Sequence, residues 1–331
     1  MSVHKIADTR GMSREDWLAV RRRGIGGSDA AALVGLNEYA TPFSVWADKR
    51  GMLPEQEETE SLRIGRDLED YVAHRFTERS GIKVRRVNAV MGCDEYPYAL
   101  ANIDREVLDG GHSGLECKTT KSVHASQYRH GEFPDRYYCQ CVHYLAVTGK
   151  QRWYLAVLAM GEGFYIFRMT RIPDEPMPEW CDGSVYVDDE EIASLMAAET
   201  AFWEDHVQTG IPPAVDGEKA TGKAVKALTG EMLDEDAAEL HCGAALRSYC
   251  ELNAQIDALT KLKDSCKQQV AMELGSRRRG SSPGYTVTQV ISERDTFDTA
   301  RFRKDHPHMD IRGYLKHSRS VSLRIQEVKS K

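Results

Sequence analysis

The sequence predicts an α/β protein in the broad sense: a mixed central sheet flanked by helices, with a largely helical C-terminal extension. Three observations lead there. Helical periodicity is followed by three strand-like runs, a second strong helix and two more strands, the order of a mixed sheet covered by helices. Hydrophobic residues make up 41% and charged residues 29% of 331 positions, the composition of a globular chain long enough for a buried core. After Arg171 the pattern breaks at Pro173, Pro176, Pro178 and Pro212-Pro213, and a long helical pattern follows. These breaks divide the chain into a main domain, 1–210, and an extension, 211–331.

Each element has a local reason. Ser13 caps a helix around Trp17 and Val20, with Asp16 three residues on. A basic, glycine-rich turn, Arg21 to Gly27, delivers Ser28 to the N-cap of a short helix from Asp29 to Val34, which Gly35 stops. Thr41-Pro42 opens the next helix and Gly51 closes it. Leu62, Leu68, Val72 and Phe76 keep helical spacing from about Ser61 to Ser80. Lys83–Met91, Tyr98–Leu108 and Gly114–Thr119 read as strands, the last two joined through Asp109-Gly110-Gly111. Pro134–Thr148 is a helix, and Trp153–Met160 and Phe164–Arg171 form a closing strand pair. Glu190–Val207 reads as an acidic helix and Ile211–Gly222 as a linker. Leu233–Leu274 reads as a long helical pattern, either a hairpin of helices or a coiled segment, Arg277–Gly284 as a flexible basic loop, and Tyr285–Ile291 as a strand before a basic tail.

Composition also excludes function classes. No stretch approaches the ~20 apolar residues of a membrane span, and the N-terminus lacks the apolar segment of a secretory signal, so a cytoplasmic address without membrane contact is expected. The eight cysteines include no C-x-x-C pair and no tight group, which argues for reduced thiols over zinc or iron–sulfur ligation. The net charge of -7 hides an asymmetry: residues 276–331 hold 13 Lys and Arg against 6 Asp and Glu. A uniformly basic nucleic-acid coat is excluded; a local basic surface is not.

Chemistry concentrates in Asp104, Glu116 and Lys118. On a strand, Glu116 and Lys118 share a face while Cys117 points away. Asp104 lies across the glycine turn, where antiparallel pairing brings it beside Glu116. Two adjacent carboxylates call for a cation, and hard oxygen donors, the Cys117 carbonyl among them, suit Mg²⁺ or Mn²⁺. Lys118 beside such a metal can orient or help deprotonate a water, or neutralise charge developing on phosphorus. The pattern is short and degenerate, however, and by itself reads more readily as an exposed cross-strand ion pair. Glu69 on a helix and Gln140 with Tyr144 at i+4 are further candidates, each also readable as an ordinary surface or core polar residue. The turn ending at Ser28 is a candidate anion cradle or a plain capped turn.

Five motifs, in order, carry a resemblance: Arg21-x-x-Gly24-Ile-Gly-Gly-Ser28-Asp29, Gly65-x-x-Leu68-Glu69, Asn102-Ile-Asp104, Leu115-Glu116-Cys117-Lys118 and Tyr138-x-Gln140-x-x-His143-Tyr-Leu-x-Val-Thr-Gly149. With them the N-terminal two-thirds resembles the YqaJ-like viral recombinases, relatives of the lambda-type exonucleases in the PD-(D/E)XK nuclease superfamily. Ile103 stands where the superfamily's name has proline. The resemblance implies a restriction-endonuclease-like core and a metal-dependent 5′→3′ exonuclease acting on double-stranded DNA ends, leaving 3′ single strands for recombination by annealing. Asp104, Glu116 and the Cys117 carbonyl would bind Mg²⁺, with Mn²⁺ able to substitute, and Glu69 would be a ligand or an outer carboxylate. Lys118 would activate water, Gln140 would hold Lys118 or the phosphate, and Arg21 and Ser28 would receive a 5′-phosphate. A homotrimeric ring and a single-strand annealing protein as partner are also implied. Other polarity, endonuclease action or a non-catalytic scaffold are the alternatives that remain.

Overall fold

A computed structural model of the chain describes residues 2–55, 59–230, 239–292, 298–306, 308 and 309. The first element, β1 (Val3–Asp8), has no counterpart among the expected elements: Val-His-Lys-Ile-Ala-Asp has no strict alternation, and it forms a strand by pairing with residues 89–93. Ser13 caps α1 (Arg14–Arg22) by accepting the Asp16 N–H. After β2 (Ile25–Gly26) comes α2 (Gly27–Leu33), which corrects the expected start. The N-cap is Gly26, and Asp29, not Ser28, supplies the capping oxygen, accepting the Gly26 N–H at 3.0 Å. α3 (Pro42–Lys49) has the expected Thr41 cap and first-turn proline. α4 (Glu60–Ser80) is capped by Thr59 and ended by Gly81 at φ 75°. Its buried face is Val72, Ala73 and Phe76, whereas Leu62, expected on that face, is 59% exposed.

Two long strands expected next are each broken. Residues 83–91 split into β3 (Val84–Arg86) and β4 (Ala89–Cys93), and residues 98–108 into β5 (Ala99–Asn102) and β6 (Arg105–Val107). The halves pair crosswise, β3 with β6 and β4 with β5, so the two breaks lie abreast and the ribbon passes from one sheet to another. Asp104 sits at its break. Then follow β7 (Ser113–Thr120), α5 (Ala125–Arg129), α6 (Asp135–Thr148), β8 (Arg152–Ala159), β9 (Gly163–Thr170), β10 (Gly183–Tyr186) and α7 (Asp189–Phe202). A wider helical turn covers Trp203–Gln208. The expected linker is extended only to Glu218; α8 (Lys219–Thr229) follows and docks through a buried Thr41–Thr221 hydroxyl pair at 2.7 Å.

The central sheet has the order β10-β9-β8-β7-β6-β3, with β7–β8 and β9–β10 parallel and the other pairs antiparallel. A smaller sheet runs β1-β4-β5-β2. Along β8 the side chains alternate between two cores, because the pleat has period two. Trp153, Leu155 and Val157 join α2, α3, α6 and α7 on one face. Tyr154 and Ala156 join Val72, Ala73 and Phe76 of α4 on the other. This is the mixed α/β architecture expected of the fold. Between parallel β7 and β8 the chain crosses over through α6, which places Gln140 behind the β7 carboxylate.

The chain forms two compact units, residues 1–233 and 234–331. The second contains α9 (Gly243–Leu274), a hairpin of β11 (Arg279–Ser282) and β12 (Tyr285–Thr288), and α10 (Thr299–Asp305). The hairpin corrects the flexible basic loop expected at 277–284, since Gly284 at φ 80° allows a tight turn between two paired strands. The strand expected to reach Ile291 ends at Thr288. Residues 310–331, most of the basic tail, lie outside the described residues, as do 231–238 at the start of the long helical pattern.

Candidate active site

The site grows from the break between β5 and β6. β6 pairs with β7 only from Arg105, opposite Leu115, so Asp104 is free to turn its carboxylate toward β7. Its Oδ2 accepts the Cys117 N–H at 2.8 Å. In a strand the N–H and C=O of one residue leave on the same side, so the Cys117 carbonyl faces the Asp104 edge and not β8. Glu116 is 3% exposed. Its Oε1 accepts from Lys118 Nζ and from Gln140 Nε2, the latter at 2.7 Å; Gln140 gives its other amide proton to Tyr144 Oη at 3.0 Å. Gln140 therefore meets Lys118 only through the oxygen they share.

Electrostatics mark this as a charged site under tension. Burial, then the charges of Glu116 and Glu69, push the Asp104 carboxyl well above the ordinary carboxylate range. Burial also raises Glu116, with Lys118 working against it. Burial disfavours the charge on Lys118, but Glu116 and Asp104 more than offset it and keep the ammonium protonated. Glu116 Oε2 is buried with no hydrogen-bond partner among the described residues. An orphaned carboxylate oxygen beside a second desolvated carboxylate is what a divalent cation satisfies, and an all-oxygen set fits Mg²⁺ or Mn²⁺. The residues present fit such an ion.

Glu69 is placed differently from a free ligand. Its Oε1 is taken by Arg105, which is 3% exposed and also donates to Asp70 and to the Asp104 carbonyl, the last at 2.6 Å. Among the described residues no three His, Cys, Asp or Glu side chains gather closely enough to hold a metal by themselves. Glu69 thus acts on Asp104 through its field and through Arg105. Arg105 gave no signal in the sequence beyond standing next to Asp104.

Arg21 and Ser28 come to the same place. Arg21, Gly27, Ser28, Asp104, Glu116, Gln140 and Tyr144 all line one cavity of about 200 Å³, with Trp17 at its wall. Arg21 Nη2 donates to Ser28 Oγ at 2.6 Å and to Asp29 Oδ1 at 3.1 Å, and its guanidinium lies 5.4 Å from the Trp17 ring centre. Behind it Asp29 Oδ2 pairs with Lys49 Nζ at 2.6 Å. Burial alone would raise Asp29, yet Lys49 and Arg21 hold it well below the usual carboxylate range. Lys49 is the residue that sequence reasoning missed entirely, because in the chain it looks like an ordinary basic residue in a helix's last turn.

The profile of the YqaJ-like viral recombinase domain matches residues 16–151, a span that contains every candidate site residue named above. The uncharacterized protein YqaJ of Bacillus subtilis is 35% identical over 309 residues, 91% of each chain. Among solved structures, an alkaline exonuclease from Laribacter hongkongensis is 19% identical, with a TM-score of 0.47 over 64% of this chain and 98% of that one. The same enzyme in complex with dAMP gives 18% identity and a TM-score of 0.48 over the same shares.

Proposed function

Since the chain belongs to the YqaJ-like viral recombinase family, we propose that it is a nuclease acting on DNA, and specifically a metal-dependent exonuclease that degrades duplex ends 5′→3′ and leaves 3′ single strands for annealing. The observation that supports this best is the shared cavity. It joins a carboxylate pair suited to a divalent cation with an arginine and a hydroxyl. An endonuclease needs the first part alone; a group that recognises a terminal phosphate is the addition an end-dependent enzyme requires.

In this reading Asp104, Glu116 and the Cys117 carbonyl hold Mg²⁺, with Mn²⁺ able to replace it, and Glu69 is an outer carboxylate. The ion would supply charge stabilisation at the phosphate and lower the pKa of a bound water. Lys118 enters as a cation, orienting the attacking water and balancing charge on the phosphorane. Gln140 fixes the Glu116 carboxylate so that Oε2 stays turned away from Lys118. Arg21 and Ser28 receive the 5′-phosphate. A ring of three copies around the duplex and hand-over of the product strand to an annealing protein complete the proposal.

The test is digestion of end-labelled linear duplex carrying 5′-phosphate or 5′-hydroxyl, alongside closed circular duplex, with Mg²⁺, with Mn²⁺ and with chelator. Mononucleotide release from 5′-phosphorylated ends that depends on the ion and is absent in Asp104→Ala supports the reading. Cleavage of circles at a similar rate makes the protein an endonuclease, and inactivity on every DNA makes the fold a scaffold.

A further inference from the structure

We propose that Lys49, which is buried and cannot reach DNA, is a positioning residue that leaves the Arg21 charge available to the terminal phosphate. This rests on the end-phosphate reading of the Arg21–Ser28 subsite and adds the device that tunes it. The Lys49 side chain is 0% exposed and that of Asp29 is 9% exposed, while Arg21 is about a third exposed and faces the cavity. Three formal charges meet here: Asp29 is shared by Lys49 at 2.6 Å and Arg21 at 3.1 Å. Without Lys49, the Asp29 carboxylate would fall to Arg21 alone and offset the charge it offers a phosphate. With it, the trio keeps one net positive charge, and the longer Arg21–Asp29 separation leaves that charge on the solvent side.

Lys49 also fixes where the charge sits. Its Nζ donates to the Arg21 carbonyl at 3.1 Å, tying the end of α1 to α3, while Asp29 caps α2 through the Gly26 N–H. The guanidinium is thus placed from its backbone by Lys49 and from its tip by Asp29 and Ser28. A terminal phosphate carries about -1.5 to -2 at neutral pH against -1 for an internal diester, so a fixed net positive charge at this spot discriminates ends from interior.

The experiment measures kcat/KM on 5′-phosphorylated and 5′-hydroxyl duplex ends for the full chain and takes their ratio. For Lys49→Met we expect the ratio to fall roughly tenfold, the scale of one charge-assisted hydrogen bond, with the change in KM for phosphorylated ends. In an Arg21→Ala background the same substitution should leave the ratio unmoved, because Lys49 acts only through Arg21. Adding Asp29→Asn to Lys49→Met should recover part of the ratio, since the carboxylate that quenches Arg21 is then gone. A Lys49→Met ratio equal to wild type, an effect that persists without Arg21, or a double variant worse than the single each overturns the inference. If Lys49→Met does not fold, Asp29→Asn alone decides. With Lys49 still charged it should raise the ratio, and an unchanged or lower ratio overturns the proposal. A wild-type ratio near one is a different failure, because it removes the end-phosphate subsite itself.

Discussion

Asp104 and Glu116 are the residues whose charges the fold tolerates least without a cation. Removing either should abolish cleavage while the protein stays folded, as measured by nuclease assay and thermal melting; full activity in Asp104→Ala would remove the site assignment. Their raised carboxyls also set a pH dependence. Between the ordinary carboxylate value of about 4 and the raised folded value, the native state binds more protons than the unfolded state, so metal-free stability should fall as pH rises through that window. Asp104→Asn, or saturating Mg²⁺ in the native protein, should flatten the slope in melts from pH 4 to 8. Lys118→Ala should lower turnover by ~10²–10⁴ with DNA binding retained, the range for a charge-stabilising or proton-handling group. Lost binding with normal turnover at saturation would make it a phosphate anchor.

Among the elements, α2 and α6 set the site's spacing by close approach. A Cβ on Gly27 would lie 2.7 Å from Tyr144 Cε1, so only glycine lets α2 settle on the ring that steadies Gln140. Helix propensity alone favours alanine by about 1 kcal/mol, but the overlap should reverse that sign. Gly27→Ala is therefore expected to destabilise by about 1–3 kcal/mol in urea melts and to slow cleavage, because Tyr144 must move. One turn on from Gln140, His143 locks α6 to α7 and β5. Its Nδ1 faces Glu199 Oε1 at 2.8 Å and its Nε2 faces the Leu100 carbonyl at 3.0 Å, with both side chains fully buried. Burial opposes its charge, yet Glu199 raises it above the ordinary value near 6.5. A raised histidine stabilises fully below the unfolded value and loses that contribution as pH climbs through the folded one. Glu199→Gln should cost about 3–5 kcal/mol at pH 6 and remove the decline above it, read by urea melts from pH 6 to 9.

At the scale of the whole molecule, the charge asymmetry is the feature to test. Arg277, Arg278 and Arg279 are exposed at the start of the β11–β12 hairpin in the second unit. We expect this basic stretch to track phosphate on behalf of an acidic chain. Replacing all three arginines by alanine should flatten the log–log salt dependence of DNA binding by ~0.9 for each phosphate no longer neutralised, and shorten digestion runs. An unchanged slope with altered subunit association would assign the stretch to assembly.

What local chemistry writes was legible along the chain. Caps, prolines and glycines marked α1, α3, α4 and α6, but not α5 or α8; the pleat put Glu116 and Lys118 on one face; and the order of five short motifs was enough to reach the family. Tertiary structure decided the rest, because it depends on partners far along the chain. The long strands at 83–91 and 98–108 break only because two sheets share one ribbon, and that break is what frees Asp104 to reach Cys117. β1 has no pattern of its own and exists by pairing. Asp29 was legible only as the first residue of a short helix capped by Ser28; its own capping bond, and its partner Lys49 twenty residues on, appear only when α2 and α3 pack. Arg105 likewise takes Glu69 away from the role of a free carboxylate, since a buried guanidinium must find counter-charge wherever the fold supplies it.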